Sequence, residues 1–344
     1  MSTHDELVRP DRLGPALAAA TGDGRWRTLR AALVSGGKSN LTFLLSSAAG
    51  ELVLRRPPSG TLLPKAHDMA REARVQRALA GTAVPVPQIV FEDLGGDLLG
   101  VPCYVMRRVP GHVLRDSLPD GYAPAAPDKV AMADALVDVL VDLHALDPYT
   151  VGLSGHGRPE GFYARQVATW YQQWQQSKMD DVPAIDALVA KLRARTPRDV
   201  RAAIVHGDYR LDNCLLDRHN PGRITAVLDW ELSTLGHPLA DVGMLLFYWT
   251  ESGEPRPVLT PALTATAGFP GRRHLVDRYV ARTGADLADL LTFWAYAHFK
   301  FAVIAQGVWT RSLAGTMADQ DFGDLSHEVV RIAERGLELL ENAA

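Results

Sequence analysis

The stretch Val205–Leu216, VHGDYRLDNCLL, sets a histidine, two aspartates, an arginine and an asparagine between apolar residues. Asp208 and Asn213 lie on one loop, five positions apart. The chain continues as CLLD, a turn RHNPGR and ITAVLDWE, which reads as strand, turn and strand closing on Asp229. A hairpin brings its two ends together, so the pattern predicts Asp229 near Asn213. Three oxygen-bearing side chains at one cleft suit Mg²⁺, which takes a few carboxylate or amide oxygens and the remainder from water and phosphates. One carboxylate is then left to orient a substrate hydroxyl. A metal-dependent hydrolase using His206, Asp208 and Asp229 is a competing chemistry. It would need further His or carboxylate ligands, and the sequence has no HExxH or similar cluster.

The order H-x-D-x-x-x-x-N followed by a metal-binding Asp is the arrangement of phosphoryl transfer in kinase-type folds. Here it runs from His206 through Asp208 to Asn213, and Asp229 sits in DWE where protein kinases have DFG. A second stretch, SGGKSN, comprises Ser35, Gly36, Gly37, Lys38, Ser39 and Asn40. Its Gly-Lys-Ser resembles the end of a P-loop, but Ala32 stands where that motif needs glycine. The turn also joins two strands rather than a strand and a helix. It fits a glycine turn whose backbone N–H groups, Gly36 to Asn40, face nucleotide phosphates; a plain hairpin turn is the alternative. GGDLLG, Gly95 to Gly100, is a hairpin turn, since Asp97 breaks G-x-G-x-x-G.

Kinases hold the α- and β-phosphates with a strand lysine paired to a helix glutamate. The strand here is ELVLRRPP. Alternation from Val53 puts Arg55 on the same face, and Glu72 is its best partner on the following helix. Arginine is a bidentate phosphate ligand, so that role survives with altered geometry. Arg56 is the neighbouring candidate, because a slip of one residue flips the face.

Elements must position these groups. Leu33 to Val109 reads as strand, strand, strand, helix, strand, strand, the helix being HDMAREARVQRALA. After Pro110 the character turns helical. Met132, Leu136, Val139, Leu140 and Leu143 share the apolar face of one helix, and Asp134, Asp138 and Asp142 fall on its solvent side. The segment LTFWAYAHFKFAVIAQGVW is apolar enough to suggest a membrane, but His298 and Lys300 stand near its middle. It reads as a buried helix of a soluble domain.

Composition narrows the classes. The 344 residues suffice for two lobes, 47% of them are hydrophobic, and the formal charge is −4, which gives no electrostatic reason for a nucleic-acid partner. The first residues are charged and lack the apolar core of a secretory signal. Two cysteines without a CxxC pair point to a reducing, cytoplasmic setting.

IVHGDYRLDNCLL together with ITAVLDWELSTLGHPLADVG closely resembles the aminoglycoside phosphotransferase/choline kinase superfamily. The nearest resemblance is to the kinase-like proteins and domains associated with acyl-CoA dehydrogenases, from about Leu33 to Gly336. It implies an α+β, bilobal protein kinase-like fold. Residues 1–108 would form a small β-rich nucleotide-binding lobe with one main helix. Residues 109–344 would form a large, mostly helical lobe carrying the catalytic loop, the β-hairpin and the acceptor site.

The resemblance also implies roles. Asp208 is the base or hydroxyl-orienting carboxylate, Asn213 and Asp229 hold Mg²⁺, His206 braces the loop, and Asp241 ties it to the next helix. Asp212 and Arg210 read as solvent or loop contacts rather than catalysts. Backbone groups from Met106 through Arg107 to Arg108 meet the adenine of ATP. RQVATWYQQW lies where the superfamily builds its acceptor site. There Trp170 and Trp174 read as core, and Arg165 is either a contact for an anionic acceptor or a solvated arginine. The expected function is ATP- and Mg²⁺-dependent phosphorylation of a small-molecule hydroxyl on a hydroxyacyl-CoA or hydroxy acid, with a link to acyl-CoA metabolism and with no nucleic-acid or membrane partner. The alternatives are an aminoglycoside or other antibiotic O-phosphotransferase and a nucleotide-binding pseudokinase acting as an interaction module.

Overall fold

A computed structural model describes residues 3–34, 40–58, 68–313 and 323–341. The chain divides into two compact units, Met1–His112 with Thr225–Ser233, and Val113–Ile224 with Thr234–Ala344.

The first unit begins with two helices, α1 (Thr3–Val8) and α2 (Pro10–Thr21). Its sheet follows: β1 (Arg30–Leu33), β2 (Leu41–Ser47) and β3 (Gly50–Arg56), then α3 (Met69–Leu79), β4 (Ile89–Asp93) and β5 (Cys103–Arg107). The strands lie in the order β1-β2-β3-β5-β4, each pair antiparallel. Alternation sorts the side chains by face. Phe43, Leu45, Leu52, Leu54, Cys103 and Val105 are buried together with Val8, Leu13, Leu17 and Trp26. On the other face Val53, Tyr104 and Met106 pack with Met69 and Ala73 of α3.

The sheet is therefore covered on both sides, and α2 is a helix that the pattern of the first residues did not announce. Pro10 opens it, Gly22 closes it at a φ of 71°, and Leu13 and Leu17 turn one stripe inward. Gly14 is required by close approach: a Cβ there would stand 2.8 Å from the carbonyl oxygen of Arg27. Helix α3 is capped by Asp68, whose carboxylate accepts from the Arg71 N–H at 3.0 Å.

The second unit takes up β6 (His112–Val113) only at its last residue, then α4 (Ala126–Ala145), α5 (Phe162–Ser177), α6 (Pro183–Arg193), β7 (Ala203–Val205) and β8 (Cys214–Leu216). Strand β9 (Ile224–Val227) leads into the Thr225–Ser233 segment of the first unit. Strand β10 (Thr234–Gly236) pairs antiparallel with β7, and α7 (Leu239–Tyr248), α8 (Arg272–Thr283), α9 (Leu290–Leu313) and α10 (Ser326–Glu341) complete the order. The turn after β8 is closed by the Asp217 N–H donating to the Arg223 carbonyl at 2.9 Å. Gly243 lets α7 approach α9, since a Cβ there would meet the Phe293 backbone at 2.6 Å.

One expectation is corrected. Asp134, Asp138 and Asp142 of α4 do not face solvent alone. They meet His274, Arg278 and Arg282 of α8 in a ladder of ion pairs, with Asp138 Oδ2 at 2.6 Å from Arg278 Nη2 and Oδ1 at 2.7 Å from Arg282 Nη1. The i, i+4, i+8 spacing that suggests a wetted stripe equally suits a charged helix–helix seam. No helix among the described residues is long and apolar enough to cross a membrane.

Candidate active site

The loop that follows β7 carries the first cluster, all within the second unit. Asp241, at the start of α7 and fully buried, fixes it. One carboxylate oxygen accepts from the His206 N–H at 2.6 Å, and the other from the Gly207 N–H at 2.8 Å. His144 of α4 stands 3.3 Å from the same carboxylate and meets the Tyr279 hydroxyl at 2.9 Å on its other nitrogen. Burial alone would raise the Asp241 pKa, but His144, His206 and the Gly207 N–H hold it below the ordinary value. Gly207 takes a φ of 83°, which glycine reaches freely. The N–H of Asp208 then donates to His206 Nδ1 at 3.2 Å. His206 is thus part of the loop's bracing.

Asp208 has 17% of its side chain exposed, and both its oxygens are engaged. Oδ1 accepts from the Tyr248 hydroxyl at 2.9 Å, and Oδ2 from Asn213 Nδ2 at 3.1 Å, with Arg210 Nε at 3.2 Å. Arg210 also reaches Asp212 at 3.1 Å and lies over the Tyr248 ring, 4.8 Å from its centre. Burial pushes the Asp208 pKa up, and Arg210, Lys300, His206 and the Tyr248 hydroxyl more than offset this, so the carboxylate stays below its ordinary pKa. Asp212 goes the other way: burial raises it despite Arg210. Asn213 spends its amide nitrogen on Asp208, on both the carbonyl and the carboxylate. Its amide oxygen is left as the donor atom for a hard cation.

The second cluster lies within the first unit. Arg55 Nε stands 3.0 Å from Glu72 Oε2, and Nη2 stands 3.0 Å from Asp229 Oδ1. Glu72 is fully buried and takes further bonds from the Tyr104 hydroxyl and from Asn40 Nδ2, both at 2.8 Å. Burial raises the Glu72 pKa and Arg55 opposes the rise. Arg56 occupies the other face of β3, where it donates to the carbonyls of Leu7 at 2.6 Å and Pro57 at 3.1 Å. Of the two arginines, Arg55 is the one that meets Glu72. Asp229 has a φ of 66°, a left-handed conformation costly for a residue with a Cβ. The carboxylates of Glu72, Asp229 and Glu231 offer oxygens within 4.8 Å of one another, with Arg55 bound to two of them.

Asn213 belongs to the second unit and Asp229 to the first. Ser35, Gly36, Gly37, Lys38 and Ser39 lie outside the described residues. Asn40, just after them, donates to Glu72 and to Glu231, and β1 and β2 flank the segment as antiparallel neighbours. Met106 is buried in the sheet, the Arg107 N–H donates to the Gln88 carbonyl at 2.8 Å, and the Arg108 side chain pairs with Glu51. Trp170 and Trp174 are buried. Arg165 donates to the carbonyls of Arg158 and Glu160 at the head of its own helix.

Several partners were not legible in sequence. Tyr248, His144 and Tyr104 sit in helices or strands with no motif around them. Lys300 left a signal, a lysine in an apolar helical run. Its ammonium donates to the Gly207 carbonyl.

The profile of the phosphotransferase enzyme family matches residues 30–275. The rat protein acyl-CoA dehydrogenase family member 11 is 39% identical over 307 residues, which are 88% of this chain and 39% of that protein. The chain thus spans about two fifths of the length of such relatives. The Escherichia coli hygromycin-B 4-O-kinase is 31% identical over 275 residues, 72% of each chain. Among solved structures, a candidate aminoglycoside phosphotransferase from Ralstonia eutropha superposes with a TM-score of 0.78 at 32% identity, covering 92% of this chain and 93% of that one.

Proposed function

The chain belongs to the phosphotransferase enzyme family, and from that membership we propose that it transfers the γ-phosphoryl group of ATP to a hydroxyl of a small molecule. The observation that carries this reading is Asp208: a carboxylate kept ionised by Arg210, Lys300 and Tyr248, on a loop locked by Asp241. In the reaction the acceptor oxygen attacks the γ-phosphorus, the bond from that phosphorus to the β,γ-bridging oxygen breaks, and ADP leaves. The acceptor proton passes to Asp208. This carboxylate orients the hydroxyl and takes its proton as the O–P bond forms.

Asn213 and Asp229 are proposed as the residues that hold Mg²⁺. A carboxylate and an amide oxygen are the hard donors this ion takes, and such a set leaves positions for phosphate oxygens and water. Bound there, the ion would neutralise charge on the phosphates. Arg55, braced by Glu72, would hold the α- and β-phosphates, and the turn from Ser35 to Asn40 would cover them. The backbone from Met106 to Arg108 would meet the adenine.

For the acceptor we favour a hydroxyacyl-CoA or a related hydroxy acid. Support comes from the likeness to acyl-CoA dehydrogenase family member 11, which places a related segment in a protein named for acyl-CoA chemistry. An aminoglycoside is the second reading, favoured by the likeness to the hygromycin-B 4-O-kinase. The test is ADP release from Mg-ATP across a panel of hydroxyacyl-CoA esters, hydroxy acids, choline and aminoglycosides. Acceptor-dependent ADP release that Asp208→Asn abolishes supports the phosphotransferase. No acceptor-dependent release with any member would reject it for this panel and favour a nucleotide-binding module.

A further inference from the structure

Lys300 stands in the middle of α9, between Phe299 and Phe301, with only 5% of its surface exposed. Burying an ammonium is costly unless it is compensated. A methionine or leucine would fill this place between two phenylalanines without that cost. The compensation is specific. Nζ donates to the Gly207 carbonyl and lies over the Trp170 ring, 5.2 Å from its centre. Asp208 and Asp241 are the carboxylates whose charges support the ammonium against burial.

The bonded carbonyl belongs to the peptide unit that joins Gly207 to Asp208. The N–H of that same unit donates to His206 Nδ1 at 3.2 Å. The preceding unit is held through the Gly207 N–H, which donates to Asp241 at 2.8 Å. Two consecutive peptide planes are thereby fixed at a glycine in the left-handed region, where the backbone has the most freedom to turn. The Asp208 Cα lies at the end of the second plane, so the direction of its side chain depends on that plane's tilt.

We propose that Lys300 is a positioning residue for Asp208: by holding the Gly207 carbonyl it fixes the peptide plane from which the catalytic carboxylate departs. The inference rests on the phosphotransferase reading for the role of Asp208, but its anchor is the contact from α9. Lys300 is 92 positions from Asp208 in sequence and outside the H-x-D-x-x-x-x-N motif.

The experiment compares Lys300→Met and Lys300→Arg with wild type in two measurements. The first is amide hydrogen exchange of the His206–Asp208 segment, with α5 and α9 as internal references; it needs no turnover. The second is ADP formation from Mg-ATP, with 3-hydroxybutyryl-CoA as acceptor and with water alone. Losing a charged donor to a buried carbonyl should speed exchange at His206, Gly207 and Asp208 by about tenfold or more in Lys300→Met, with α5 and α9 little changed. It should lower kcat by a similar factor while KM for ATP stays within about twofold, and Lys300→Arg should recover part of both. Exchange at the three amides equal to wild type would overturn the proposal. So would a rise in KM for ATP matching the fall in kcat, or equal loosening of α5, α9 and the loop in both variants. Should Lys300→Met fail to fold, Lys300→Gln, which also removes the charged donor, takes its place: faster loop exchange on intact helices supports the proposal and wild-type exchange overturns it. Absence of ADP in both arms for wild type counts against a hydroxyacyl-CoA acceptor, and the kinetic arm then passes to the best acceptor of the panel, while the exchange comparison still decides whether Lys300 holds the loop.

Discussion

Tyr248, the last residue of α7, donates its hydroxyl to Oδ1 of Asp208 at 2.9 Å. The helix that begins with Asp241 gripping the loop backbone therefore ends with a hydroxyl gripping the loop's carboxylate. Tyr248→Phe removes only that donor and keeps the ring under Arg210. A hydrogen bond to a charged group contributes about 1.5–3 kcal/mol, so kcat should fall by roughly ten- to a hundredfold. KM for ATP should barely move. Steady-state kinetics on the best acceptor of the panel checks this, and an unchanged kcat would show the bond to be idle in the reaction.

Asp208→Asn should remove most turnover while leaving nucleotide affinity nearly intact. Loss of a general base typically costs about 10²–10⁴-fold. Calorimetry with Mg-ATP, run beside the kinetics, separates the two effects. A variant that turned over at the wild-type rate would disprove the role given to this carboxylate.

Arg55 and Glu72 should behave as one unit. Arg55→Ala strands a buried carboxylate, and Glu72→Ala removes the brace from a guanidinium that also meets Asp229. Each change should raise KM for ATP and lower stability. The double variant should cost less than the sum, with a coupling of about 0.5–3 kcal/mol. Strict additivity in a double-mutant cycle would mean that the ion pair contributes nothing.

Asp229→Ala should weaken Mg-ATP far more than it weakens ATP measured without the metal. The difference follows if the carboxylate holds the ion, because its loss leaves phosphate charge uncompensated. Equal losses with and without Mg²⁺ would assign Asp229 only to Arg55.

Two histidines, His298 buried and His237 half-buried, make the fold sensitive to acid. Burial pushes His298 and His237 each down to about 4. His298 Nδ1 donates to the Trp294 carbonyl at 2.9 Å, and His237 packs against the Phe293 ring with its centre 4.4 Å away. Between the ordinary value of 6.5 and about 4 the unfolded chain binds protons that the folded chain excludes. Stability is complete above the ordinary value and is lost as pH falls toward the folded one, by at most about 1.4 kcal/mol per pH unit for each ring. Urea midpoints at pH 7 and pH 5 should differ accordingly, and His298→Gln should narrow the difference. A pH-independent midpoint would contradict the burial argument.

Much of the fold and of the loop is legible in the order of the residues, for physical reasons. The strands around Arg55 alternate cleanly, so Val53, Arg55 and the face toward α3 follow from a period of two. Helix α4 announces itself by its apolar stripe, but its aspartates read as wetted because periodicity shows a polar face without showing what lies opposite. Helix α8, which supplies the arginines, is about 140 residues away. The short span PDRLGPALAAATG conceals α2, since two prolines and two glycines in it read as breakers. Yet proline at the first position and glycine past the last are how a short helix begins and ends. The loop motif carries its own spacing in the sequence. Its supports, Tyr248, His144 and Lys300, come from three helices and are brought to it only by packing.

The placement of α1 and α2 bears on where a shortened form of this chain can begin. The family profile starts at residue 30, at the first strand. Trimming there would strip the cover from Phe43, Leu45, Leu54 and Val105 and deprive the Arg56 guanidinium of the Leu7 carbonyl. A greasy sheet left bare is a recipe for inclusion bodies. The experimental boundary belongs upstream of the recognisable motifs, ahead of Thr3.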